Sequence, residues 1–96
     1  MAQRAATDPR QPYLVENYHP GLGADELRQI VSRVRDAVAQ MNQDGKAIRY
    51  LRSTIVPDDE SFLCVIEAAS EELALEAYTR AGVPFERISP ALLEEG

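Results

Sequence analysis

The chain has 96 residues, a formal net charge of −6, 45% apolar and 27% charged residues, which is ordinary usage for one small globular domain. The negative charge makes nucleic acids and anionic membrane surfaces poor partners. A single cysteine, Cys64, excludes an internal disulfide, and no apolar run is long enough to span a membrane. The sequence therefore predicts a cytoplasmic protein with no nucleic-acid or membrane partner.

The first half of the chain predicts a tail, a strand and a long helix. Residues 1–11 are polar without any apolar period, which predicts a flexible tail before a domain over residues 12–93. Aromatic and β-branched residues over 13–18 indicate the first strand. Apolar residues then recur at three- and four-residue spacing over 27–41, which is typical of an amphipathic helix that buries one face.

The second half predicts two strands, a shorter helix and a last strand. Residues 47–56 and 61–68 are rich in strand formers, and the polar segment 57–60 between them fits a hairpin connection. Ser70 is a good N-cap for a helix that runs to about residue 81. Residues 85–89 then form a short fourth strand.

This order, β-α-β-β-α-β, predicts an α+β ferredoxin-like sandwich. The four-stranded antiparallel sheet has the strand order 4-1-3-2, and both helices cover the same face. The other face has no helix to cover it. We expect the same face of a second copy to cover it, giving a homodimer in the form of an α+β barrel.

Alternation along the strands assigns each side chain to one face of the sheet. Because the helices need apolar partners, Glu16 and Glu67 are expected to point away from them. The residues expected to face the helices are Val15, Leu51, Ser53, Ile55, Cys64, Ile66 and Ala68. The residues expected on the open face are Leu14, Glu16, Tyr18, Tyr50, Arg52, Thr54, Leu63, Val65 and Glu67.

The open face thus carries a candidate ligand-binding cleft made of Glu16, Tyr18, Tyr50, Arg52 and Glu67. Two carboxylates and an arginine inside an apolar rim are typical of a small-molecule site. In one interpretation Arg52 only pairs with a glutamate at a dimer interface. In another, Glu16 or Glu67 is the general base of a cofactor-free enzyme, Arg52 holds an anionic intermediate and Tyr50 donates a proton.

Five short regions of the chain carry a resemblance to a known family. They are residues 13–16 (YLVE), 21–22 and 26–27 (GL and EL), 49–53 (RYLRS), 62–68 (FLCVIEA) and 81–88 (AGVPFERI). Over about residues 12–88 the chain resembles a small bacterial domain-of-unknown-function family that includes a nickel-binding protein. The resemblance implies a ferredoxin-like fold, a homodimer with facing sheets, and nickel or a related divalent metal as one ligand.

Metal-ligating residues are few in this sequence. His19 is the single histidine, and with Glu16 it is the candidate ligand pair, since imidazole suits nickel and carboxylates can complete the shell. The alternatives are that His19 is an exposed turn residue and that Cys64 packs inertly in the core. No cofactor other than a metal is expected.

Three functions remain open at this point. The first is a non-enzymatic binding protein for a divalent metal or a small ligand, with nickel as one candidate. The second is a small cofactor-free enzyme that acts on an organic molecule beside the open sheet face. The third is a structural or partner-binding domain.

Overall fold

A computed structural model describes residues 10–94 and has, over that range, two helices packed against a four-stranded sheet. Neighbouring strands are antiparallel and their order is β2-β3-β1-β4, which confirms the predicted ferredoxin-like arrangement. The elements are β1 (Gln11–Tyr18), α1 (Ala24–Gln43), β2 (Ile48–Val56), a 3₁₀ turn (Pro57–Asp59), β3 (Ser61–Ala68), α2 (Glu71–Ala81) and β4 (Arg87–Pro90). Residues 1–9 of the predicted tail lie outside the described range, and β1 already includes Gln11.

Both helices form where the sequence supplies end groups and an apolar stripe. The Ser70 hydroxyl accepts a hydrogen bond from the Leu73 N–H at 3.4 Å, which caps the start of α2. α2 ends at Gly82, whose φ of +68° is a left-handed conformation that favours glycine. The buried stripe of α1 consists of Leu27, Val31, Val34, Val38 and Met41. Neither of the helices described within residues 10–94 is long and apolar enough to cross a membrane.

The two faces of the sheet differ sharply in burial. On the face under the helices, Val15, Cys64 and Ile66 have no exposed surface at all. On the other face, called the open face here, Leu14 and Leu63 are half-buried and alternate with these buried residues along the same strands. Strand alternation therefore assigns the two faces as predicted for β1 and β3.

A β-bulge in β2 changes the faces assigned to that strand. Tyr50 lies opposite Ile66 and Arg52 opposite Val65, so Leu51 is an extra residue with no partner on β3. Because Ile66 faces the helices, Tyr50 faces them too, and the prediction that Tyr50 projects from the open face is wrong. Leu51 is likewise displaced from the predicted helix-facing row.

After the bulge the alternation resumes as predicted. Ser53 and Ile55 lie opposite Cys64 and Phe62, both of which face the helices. Arg52 lies opposite Val65 and projects from the open face. The error caused by the bulge is thus confined to two residues of β2.

Candidate functional site

Two arginine–glutamate ion pairs lie on the open face. Nε of Arg87 donates to Oε2 of Glu16 at 3.0 Å, across the β1–β4 pair. Nη2 of Arg49 donates to Oε1 of Glu67 at 3.0 Å, across the β2–β3 pair. Arg52, which the sequence suggested as the partner of these acids, forms no ion pair within residues 10–94.

The predicted cleft between the two glutamates is not formed. β1 and β3 are antiparallel, and Glu16 lies opposite Leu63, four residues along β3 from Glu67. At about 3.3 Å per residue, Leu63 and Glu67 are roughly 13 Å apart along β3. The backbone positions of Glu16 and Glu67 are therefore separated by at least that distance. Each carboxylate is also compensated by its own arginine. Glu16, Arg52 and Glu67 therefore do not converge on one small molecule within a protomer, and Tyr50 lies on the opposite face.

The centre of the open face is apolar. Leu14 and Val65 lie opposite each other on the two central strands, between the two ion pairs. Val65 is 7% exposed, whereas Tyr18 at the end of β1 is 50% exposed. An apolar centre with charged pairs around it is the composition of a protein interface, where water is excluded from the middle and the rim stays wet.

His19 lies at the end of β1 and packs toward the helices. Its ring stacks on that of Phe62 with the centroids 5.5 Å apart, and the residue is 8% exposed. Burial lowers the pKa of the imidazole below its ordinary value, and the Glu86 carboxylate opposes this shift. Its Nε2 is buried without a hydrogen-bond partner among the described residues.

The predicted pairing of His19 with Glu16 is wrong, because the two side chains lie on opposite faces of the sheet. Glu16 is bound to Arg87 on the open face, whereas His19 stacks on a core ring. Within residues 10–94 no group of three or more His, Cys, Asp or Glu side chains could hold a metal ion. The described part of the chain therefore offers one unpaired imidazole nitrogen and not a complete site.

A polar network that the sequence did not predict lies between the sheet and the helices. The hydroxyl of Tyr50 is 3.0 Å from Sγ of Cys64, and the hydroxyl of Tyr78 donates to the same sulfur at 3.3 Å. Nδ2 of Asn17 donates to the Tyr78 hydroxyl at 3.0 Å. Burial raises the pKa of the thiol and of both phenols, so the network is neutral at pH 7.

One signal for this network was present in the sequence. Asn17 is a polar residue at a helix-facing position of a central strand, where an unpaired amide is costly. Its Nδ2 also donates to the backbone oxygens of Val15 and Phe62, at 3.1 Å and 3.4 Å. The partners Tyr50, Cys64 and Tyr78 come from three elements, so only the packed fold identifies them.

Comparisons with known proteins give one family and one solved structure. The sequence model of the family described as "Nickel responsive protein SCO4226-like" matches residues 13–90. The crystal structure of SCO4226 from Streptomyces coelicolor A3(2) is similar to this chain with a TM-score of 0.67 and 16% sequence identity. The match covers 88% of this chain and 99% of that one. The comparison with curated proteins gives no match.

Proposed function

Because the chain belongs to the family of SCO4226-like nickel responsive proteins, we propose that it is a non-enzymatic, homodimeric binding protein for a divalent metal, with nickel as the first candidate. The observation that carries the metal part is the family match over residues 13–90. A protein that responds to nickel must detect the ion, and direct binding of the ion is the simplest way to detect it.

The dimer part rests on the open face. No helix covers this face within residues 10–94, and its centre is formed by Leu14, Val65 and the half-buried Leu63. A 96-residue chain buries only about two thirds of its unfolded surface on folding, so further burial of this centre stabilises it. The two ion pairs lie at the margins, where charges keep contact with water.

Metal binding requires several ligand side chains around the ion. A net charge of −6 attracts cations to the chain, and His19 is the single imidazole that each protomer contributes. Since no group of three or more His, Cys, Asp or Glu side chains within residues 10–94 could hold a metal, we propose that His19 supplies one ligand and that the others come from outside this set, a second copy of the chain among the sources. Because His19 is buried, binding also requires a local rearrangement around Phe62.

Calorimetric titration of the chelator-treated full chain with nickel chloride tests the metal part. We expect saturable heat below millimolar concentration, and a clear loss of affinity in His19→Gln. Glu71→Gln, which removes an exposed carboxylate at the start of α2, is the matched control and should bind as the parent does. Absence of heat below millimolar concentration would reject metal binding, and full affinity in His19→Gln would reject His19 as a ligand.

Light scattering after size-exclusion chromatography tests the dimer part. We expect twice the chain mass of 10.7 kDa for the parent and the mass of one chain for Leu14→Glu, which places a charge in the open face. The control Gln29→Glu adds the same charge on an exposed position of α1. A parent that runs as a single chain at high concentration would reject the dimer.

A further inference from the structure

We propose that the groove between the second half of α1 and the start of β2 binds a small organic anion with a flat, apolar body. The groove has a volume of about 370 Å³, which is in the range of small-molecule sites. Its walls combine Arg35, the apolar Val38 and Ala39, two amide side chains and the Tyr50 ring. The proposed metal binding does not use this site, and Tyr50 is the one residue that the groove shares with the predicted cleft.

The charge of the groove comes from Arg35. Its Nη2 donates to the Ser32 hydroxyl at 3.2 Å, and it has no carboxylate partner within residues 10–94. Arg49 also lines the groove, but its guanidinium is bound to Glu67. An arginine without a carboxylate in a chain of net charge −6 is a natural anion-binding group, because its planar fork matches a carboxylate.

The apolar part of the groove comes from Tyr50 and Ala39, with the buried Val38 at its floor. The Tyr50 hydroxyl is bound to the Cys64 sulfur, so the surface that Tyr50 offers to a ligand is its ring. Arg35 and Tyr50 line the same groove. A carboxylate on Arg35 with a flat body against Tyr50 fits this arrangement.

The position of the groove makes the inference independent of the proposed dimer. Tyr50 faces the helices, and the groove opens beside the edge strand β2, away from the centre of the open face. Of its lining residues, Arg49 lies at the margin of the open face, so pairing of two open faces would leave the Arg35 and Tyr50 part of the groove accessible. Failure of anion binding would not affect the dimer or metal proposals, and their failure would not affect this one.

Titration of the ¹⁵N-labelled full chain with 2-naphthoate, followed by amide chemical shifts, tests the inference. We expect saturable shifts concentrated in residues 35–43 and 48–51. Arg35→Gln, at an exposed position, should weaken binding about tenfold, since a hydrogen bond to a charged group has roughly that effect. Arg28→Gln, which removes a guanidinium elsewhere on α1, is the matched control and should leave the affinity unchanged.

Two further measurements separate the contribution of the ligand's carboxylate charge to binding from the contribution of its apolar body. The neutral 2-naphthamide should bind much more weakly than the acid, and equal binding would reject an anion site. Tyr50→Leu removes the aromatic ring and should weaken 2-naphthoate binding; unchanged affinity in this folded variant would reject the Tyr50 ring as the surface that holds the flat body. Shifts scattered over the surface, or no saturation at millimolar concentration, would overturn the inference.

Discussion

The two faces of the sheet accommodate their polar side chains in different ways. Under the helices, the side chains of Asn17, Tyr78 and Cys64 are neutral and bonded to one another. On the open face, the two glutamates are charged and paired, Glu16 with Arg87 and Glu67 with Arg49. The difference shows which face is permanently dry and which remains available to water or to another protein.

The cost of burying charge explains this division. An ion removed from water loses several kcal/mol of hydration, whereas a buried hydroxyl or amide needs only a partner. The helix-covered face therefore maintains the fold, and the open face is the one proposed above for association. The predictions below test this division of roles, beginning with the largest expected effect.

Phe62→Ala should have the largest effect on folding. The Phe62 side chain is fully buried under the helices, and its ring also supports His19 by stacking. Its removal leaves a cavity, so we expect the free energy of unfolding to fall by about 3–5 kcal/mol. Urea denaturation at fixed protein concentration measures the loss.

The neighbouring residue supplies the matched control for the opposite face. Leu63 lies on the open face and is half-buried, so Leu63→Ala should cost less than Phe62→Ala in a dilute sample. Its effect should grow with protein concentration, because loss of a dimer contact appears through mass action. Equal, concentration-independent losses in the two variants would contradict the division of roles.

Tyr78→Phe should have an intermediate effect, since it removes a hydroxyl and keeps the ring. Nδ2 of Asn17 loses one acceptor and the Cys64 sulfur loses one donor. A buried hydrogen bond lost in this way costs about 1–2 kcal/mol, to be measured by urea denaturation. A change within the error of the parent value would show that the network contributes nothing to stability.

The pH dependence of stability should report on His19. Burial lowers the folded-state pKa of this imidazole below the ordinary value of 6.5, so the unfolded chain binds the proton more readily. The free energy of unfolding should therefore be fully retained above about pH 6.5 and decrease as the pH falls below it. Urea midpoints between pH 8 and 5.5 measure the slope. His19→Gln should flatten this slope, because the chain has no other histidine. An unchanged slope would assign the pH dependence of stability to groups other than His19.

The fold was predictable because its signals are local. The three- and four-residue spacing over α1, the Ser70 cap and the alternation in β3 each depend on neighbouring residues, and together they give the element order from which the sheet topology follows. The likeness to the SCO4226 crystal structure, with a TM-score of 0.67, agrees with that fold. The buried state of Cys64 also followed from its position on a helix-facing row.

The candidate site was not predictable to the same degree, because it depends on register. β2 contains no glycine or proline that would indicate the bulge at Leu51, and the bulge moves Tyr50 to the other face. The separation of Glu16 from Glu67 follows from the register of β1 against β3, which neither alternation nor the predicted antiparallel order specifies. His19 lies beyond the strand end, so alternation could not assign its face.

The smallest expected effect is that of the open-face ion pairs. Arg49 and Arg87 have side chains that are 61% and 69% exposed, and exposed pairs contribute about 0–1 kcal/mol. A double-mutant cycle of Glu16→Gln and Arg87→Ala, measured by urea denaturation at low protein concentration, should give a coupling energy in that range. Added salt should reduce it, since exposed charges are screened. At high protein concentration the same cycle tests the proposed dimer, in which a pair at the rim of the interface should still couple weakly. A coupling of several kcal/mol that salt does not reduce would place Glu16 in a dry environment and would contradict the rim position assigned to it.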